Sequence, residues 1–136
     1  MTKIIGLCGS ARSGKDTFFN FAEKAKYPNG VKCRRVAFAD ELKQDLNPFL
    51  MEKFHISAWT NDDNEKLVIR PIMVAYGEAM REVSNGKYWI QKIKSKLLNN
   101  MSNGNISVIT DVRYKNEIDF IKTFPESKCL YIERIG

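Results

Sequence analysis

Lys3-Ile4-Ile5-Gly6-Leu7-Cys8-Gly9-Ser10-Ala11-Arg12-Ser13-Gly14-Lys15-Asp16-Thr17-Phe18-Phe19 begins as a short apolar run, turns through glycines, and runs on into a helical pattern. The central part, residues 9–15, has the spacing GxxxxGK between a strand and a helix, the context a phosphate-binding loop requires. Glycines suit such a loop because backbone N–H groups must close around phosphate oxygens in conformations that a side chain obstructs. The helix behind the loop directs its partial positive end at the same anion. Gly9, Arg12, Ser13, Gly14, Lys15, Asp16 and Thr17 are therefore the candidate phosphate-binding residues of a nucleotide site, with Lys15 reaching the β- and γ-phosphates as a mobile point charge. Asp16 stands where a Ser or Thr would commonly ligate Mg2+, and Thr17 follows one residue later. Either can serve the metal, and spacing alone does not choose between them.

Working outward, the pattern alternates. A helix is expected over 17–24, ending before Pro28 and Gly30, then a second strand over 33–39. Asp40 is a candidate N-cap for a helix running toward Asn47-Pro48. Residues 49–68 read as short helical turns and loop around Trp59. Pro71 suits the first turn of a helix whose apolar face carries Ile72, Ala75, Tyr76, Ala79, Met80 and Val83. Asn85-Gly86 ends that helix, and the next places Ile90, Ile93 and Leu97 on one stripe, with Lys92, Lys94 and Lys96 on a solvated face. After a polar loop over 99–105 come a third strand over 106–111, a helix over 116–124 and a fourth strand over 128–132. Strands alternating with helices predict an α/β fold with a parallel sheet covered on both faces. No repeat or linker interrupts the chain, so 1–136 reads as a single domain.

Composition narrows the class. A chain of 136 residues can bury roughly two-thirds of its unfolded surface without staples, and 43% apolar with 28% charged residues excludes disordered, collagen-like and coiled-coil chains. No apolar run approaches the roughly 20 residues of a membrane span, and the N-terminus lacks a signal core. Cys8, Cys33 and Cys129 form no CxxC pair, and their odd number argues against a disulfide framework, which suits a reducing cytoplasm. The net charge of +6 is compatible with phosphate metabolites, with nucleic acid, or with solubility alone. A nucleic-acid role would call for a clustered basic face, whereas the basic residues are scattered apart from Lys32-Cys33-Arg34-Arg35.

Further residues can carry chemistry. Asp111 ends an apolar strand, where a carboxylate can hold Mg2+ or its waters, or cap the next helix. Arg113 can offer a bidentate fork to phosphate. Glu117 fits either a site or the first turn of a helix. Arg70, just before Pro71, can point from a helix end into a cleft, Trp89 can stack on a base or fill the core, and Lys43 is open. His55 has no partner at catalytic spacing and reads as structural.

Taken together these segments resemble the deoxynucleoside monophosphate kinases of tailed bacteriophages over nearly the whole chain, in the same order. The core Arg12-Ser13-Gly14-Lys15-Asp16-Thr17 is similar to that family's own variant of the P-loop, Asp included. Phe38-Ala39-Asp40-Glu41-Leu42-Lys43 is similar to the family's segment after the second strand. Arg70 through Gly77 and on to Tyr88-Trp89 resembles its monophosphate-pocket block, and Asp111-Val112-Arg113 with Glu117 resembles its strand-end D-x-R-x-x-x-E motif. The resemblance implies a three-layer P-loop kinase fold and ATP-dependent phosphorylation of a deoxynucleoside monophosphate, with Mg2+ required. It makes Lys15, Arg113, Asp111 and Arg70 catalytic candidates. Lys43, Arg70, Gly77, Trp89, Asp111, Arg113 and Glu117 are the substrate-binding candidates, and Thr17, Asp16 and Asp111 the metal candidates. Small-molecule nucleotides are the implied partners, with no membrane, no nucleic acid, a homodimer left open, and the host cytoplasm as the location. Ala11 and Pro71 depart from the family by removing positive charge. The family also continues past the fourth strand into a lid and a last strand, which are expected to be absent from this chain. An animal-type phosphomevalonate kinase shares the SGKD loop, and a non-catalytic nucleotide-binding module is the alternative from another class.

Overall fold

The computed structural model describes residues 2–9 and 14–133. It orders the chain as β1 (Ile4–Cys8), α1 (Lys15–Lys24), a 3-10 turn (Pro28–Gly30), β2 (Cys33–Val36), α2 (Phe38–Phe54), α3 (Asp63–Val83), α4 (Tyr88–Ser102), β3 (Ile106–Val112), α5 (Lys115–Lys122) and β4 (Ser127–Tyr131). The four strands form one sheet in the order β2-β3-β1-β4, every pair parallel. The expected α/β class and parallel sheet are thus observed. The chain divides into two compact units, residues 1–38 with 93–136, and residues 39–92.

The first unit contains the sheet. Its inner strand β3 is buried at six of seven positions, as a strand covered on both faces must be. Leu7, Cys33, Ile106 and Val108 pack with Phe19 of α1 on one face, joined by Ile5, Phe18, Ala22 and Leu130. On the opposite face Gly6 meets Ile121 of α5, and Ser107 accepts a hydrogen bond from Asn100 of α4. Alternate residues of β1 therefore look toward α1 and toward α5, which makes three layers. A register shift between Gly6 and Cys8 brings Val112 onto the α5 side.

α4 delivers Ile93 and Leu97, both fully buried, from the predicted stripe. Leu97→Ala is expected to destabilise the fold by about 2–5 kcal/mol. Its exposed neighbour Leu98, 47% accessible, should lose under about 0.5 kcal/mol on the same change. Chemical denaturation of the two variants checks this, and equal losses would contradict the packing.

The second unit consists of most of α2, all of α3 and the start of α4. Leu46, Leu50, Ala58 and Ile69 form its core, flanked by Leu42, Ile56, Ile72, Met73 and Tyr76. Several expectations need correction here. The second strand stops at Val36, and Phe38 already starts α2, so Asp40 lies inside the first turn instead of capping it. The N–H of Phe38 is bound by the Asp111 carboxylate, a partner 73 residues away. α2 then passes through Pro48 to Phe54, with Pro48 on the exposed face while Leu46 and Leu50 are buried. His55, at φ 57, ends the helix with its N–H on the Met51 carbonyl.

Residues 49–68 are consequently mostly helical, with a link over 55–62. The link is tied down by the Ala58 N–H on Asn47 Oδ1 at 2.9 Å. α3 begins not at Pro71 but at Asp63, where Asp62 accepts the Glu65 N–H at 3.0 Å as N-cap. Its buried stripe runs through Ile69, Ile72, Met73 and Tyr76, whereas Ala75, Ala79 and Val83 are exposed. Of the expected stripe, Ile72, Tyr76 and Met80 are half-buried and the rest faces solvent. α4 also continues to Ser102, shortening the polar loop over 99–105.

Candidate active site

β1 and β3 are parallel neighbours, with Cys8 opposite Val112, so the loop after β1 and the turn after β3 leave the sheet at the same carboxyl end of the strands. Ligands bind at this carboxyl end of the strands in parallel α/β sheets. Gly9 leaves the strand at φ 148, and Gly14 enters α1 in a left-handed conformation at φ 102 and ψ 14. A Cβ at either position would be strained, which is why the loop needs its glycines. Lys15 opens the helix, and its Nζ donates to the Gly9 carbonyl at 2.8 Å, so the ammonium lies across the mouth of the loop. Arg12 and Ser13, the remaining loop candidates, fall outside the described residues, as does Ala11.

Asp16, the first of the two possible metal residues after the lysine, has 83% of its side chain accessible, with Arg35 Nε of β2 4.0 Å away. Thr17 beside it is also exposed. The thiol of Cys8, next to the loop, is pushed up by burial above all and further by Cys129, against a downward pull from Lys15.

Asp111 lies one residue before the end of β3, and its Oδ1 accepts the Phe38 N–H at 2.9 Å. The same carboxylate thereby orients itself and anchors the start of α2. Arg113 follows as an exposed side chain in the turn leading to α5. That turn is organised by Glu117, 5% accessible, whose Oε1 accepts the N–H of Arg113 at 2.8 Å and of Tyr114 at 3.0 Å. Glu117 is thus engaged as the closing carboxylate of a helix start. Glu117→Ala should destabilise the chain by about 1–3 kcal/mol, because two backbone donors lose a buried acceptor. Glu117→Gln keeps one acceptor oxygen and should recover most of this in a thermal melt. Equal losses for the two would show that the carboxylate's negative charge, and not its acceptor oxygen or its volume, is the contribution.

The second unit holds the other candidates. Lys43 is half-buried on α2, and Arg70 is exposed on α3. Gly77 is a close-approach position, since a Cβ there would lie 2.7 Å from Leu42 Cδ1 of α2. Its carbonyl accepts the indole N–H of Trp89 at 3.1 Å. Trp89 is 8% accessible and packs edge-on against Tyr76 and Tyr88. Gly77 and Trp89 are therefore brought together as one packed contact.

Sequence reading missed Asp45 of α2. Its Oδ2 accepts the hydroxyls of Tyr76 at 3.1 Å and of Tyr88, while Lys92 Nζ lies 3.3 Å from Oδ1. Burial pushes this carboxyl upward, but the bonds from Tyr88, Lys92 and Tyr76 outweigh it and hold Asp45 below the usual carboxylate range. The only local signal was Tyr88 four residues ahead of Lys92, a helical neighbour pair.

No group of three or more His, Cys, Asp or Glu side chains able to hold a metal occurs among the described residues. Nor is any described helix long and apolar enough to cross a membrane. Curated proteins yield no match to the chain. Residues 25–136 match the family described as deoxynucleotide monophosphate kinase. The matched segment starts after the glycine loop. With β2 to β4, Asp111, Arg113 and the whole second unit inside the matched segment, the chain belongs to the deoxynucleotide monophosphate kinase family.

Proposed function

We propose that the chain transfers the γ-phosphoryl group of ATP to a deoxynucleoside monophosphate, producing the diphosphate and ADP. The observation that carries this is the loop itself, in which Gly9 and the left-handed Gly14 frame Lys15 between β1 and α1, beside the Asp111 end of β3. A nucleotide entering the loop would take the Lys15 ammonium from the Gly9 carbonyl onto its β- and γ-phosphates. An oxygen of the acceptor phosphate attacks the γ-phosphorus while the bond to the β,γ-bridging oxygen breaks, and ADP carries the electron pair away. The acceptor is already ionised, so no general base is required, and the residues act by alignment and charge neutralisation.

Asp16, Thr17 and Asp111 suit Mg2+. A cation that keeps most of its waters and binds substrate phosphates needs only one or two protein oxygens, so the lack of a three-residue cluster among the described residues is no obstacle. Mg2+ would supply charge neutralisation at the β- and γ-oxygens. Asp111, held at Oδ1 by the Phe38 N–H, is the better oriented of these groups. Arg113 is the candidate fork for the transferring group, and Lys43, Arg70 and Trp89 are the candidates for the acceptor.

Purified chain incubated with ATP and Mg2+ should convert at least one of the four deoxynucleoside monophosphates to its diphosphate, read by 31P NMR. Phosphomevalonate in the same panel should stay unchanged. ATP binding without transfer to any deoxynucleotide would instead favour a nucleotide-binding module.

A further inference from the structure

Asp45 joins three helices through one carboxylate. Tyr76 of α3 and Tyr88 of α4 donate to its Oδ2, and Lys92 of α4 stands at Oδ1. Its side chain is 15% accessible. A charge this far from water is weak evidence for stability, because an apolar side chain of similar size often serves as well. Its characteristic contribution is to select one arrangement among several that apolar packing would allow.

What is arranged here is Trp89. Tyr76 meets its ring edge-on at 5.9 Å between centroids, and Tyr88 does so at 4.8 Å. Lys92 Nζ also lies 5.4 Å from the centre of the Tyr88 ring, over its face. The indole N–H then reaches the Gly77 carbonyl, on the stretch of α3 that approaches Leu42 of α2. The network thus connects the helices bearing Lys43, Arg70 and Trp89, all within one compact unit.

We infer that Asp45 is a positioning residue for the acceptor nucleotide, holding Tyr76 and Tyr88 against Trp89 so that Lys43, Arg70 and Trp89 keep a single mutual geometry. The inference rests on the kinase reading above. A misplacement of about 1 Å in such a set can cost on the order of 10²-fold, and it is expected at the acceptor, whose candidate residues Lys43, Arg70 and Trp89 share a unit with Asp45.

The test uses Asp45→Asn and Tyr88→Phe, each also made in a Trp59→Phe background that leaves Trp89 as the sole tryptophan. In steady-state assays with ATP and the best deoxynucleoside monophosphate, both variants should raise the acceptor KM about ten-fold or more, with the ATP KM within about two-fold. Trp89 emission should shift to the red in both. Because the two residues act through one contact, the double variant should be little worse than either single one. If Asp45→Asn does not fold, Tyr88→Phe carries the test, as it keeps the ring and removes only the hydroxyl. An unchanged acceptor KM, or both KM values rising together with loss of folded protein, would overturn the inference. A parent chain that phosphorylates no deoxynucleotide would overturn the kinase reading and this inference with it, and that failure shows in the parent instead of in the variants.

Discussion

Lys15→Ala is expected to fold as the parent does and to lose phosphoryl transfer by about 10²–10³-fold. The size follows from the role proposed for the side chain, whose Nζ lies on the Gly9 carbonyl, 2.8 Å away, at the start of the glycine loop. The β- and γ-phosphates develop and exchange charge during transfer, so a cation placed there stabilises the transition state more than the ground state. A factor of 10²–10³ corresponds to about 2.7–4 kcal/mol of barrier. Stability should change far less, because the lysine makes a single hydrogen bond to a loop carbonyl, worth about 1 kcal/mol. Single-turnover rates with a thermal melt on the same samples separate the two effects. A variant that retains the parent's rate would remove the loop from the mechanism.

Asp111 offers the second large effect, and here two substitutions divide two jobs. Asp111→Asn keeps an oxygen able to accept the Phe38 N–H, so the start of α2 should hold and the melting temperature should stay near the parent's. It removes the negative charge proposed for Mg2+ or its waters. The expected result is a fall in kcat of about 10²-fold, with a higher Mg2+ concentration needed for half-maximal rate. Asp111→Ala should show the same kinetic loss and, in addition, lose about 1–3 kcal/mol of stability, since a buried backbone donor is left without its acceptor. A rate titration with Mg2+ and a denaturation curve check both. An Asn variant with the parent's rate and metal dependence would reduce Asp111 to a structural cap.

The division of labour at Asp111 shows where sequence reading stops. That the residue ends a strand beside the loop strand was legible, because a run of β-branched and apolar residues followed by polar ones is a local pattern. That its carboxylate also anchors Phe38, 73 positions away, was not. The same gap explains the misplaced start of α2. Asp40 has the chemistry of an N-cap, but the first N–H of the helix is bound from β3 instead. Pro48 and Pro71 misled in another way. Each removes one helical hydrogen bond, a real local cost, yet each faces outward while Leu46, Leu50 and Ile69 bury the opposite side. Burial of those residues outweighed the missing bonds, and both helices run through their prolines.

Glu117 and Trp89 were open between structural and functional readings for a sound reason. A first-turn glutamate and a helical tryptophan look alike in either role until their partners are known. The two N–H groups on Glu117 and the Gly77 carbonyl on Trp89 supply those partners. Asp45 escaped altogether, since its ligands come from two helices 31 and 43 residues further on.

By itself the sequence determined the α/β class, the parallel sheet, the glycine loop on Lys15 and the family resemblance. Those depend on short-range periodicity, on glycine at positions of positive φ, and on the order of the elements. Only the tertiary structure decided which prolines a helix tolerates, which carboxylates close a turn or anchor a helix, and how Asp45 gathers Tyr76, Tyr88 and Lys92. The physical reason is the same in each case. A buried donor or acceptor must be satisfied by whatever group the fold brings to it, and chain distance carries no information about that partner.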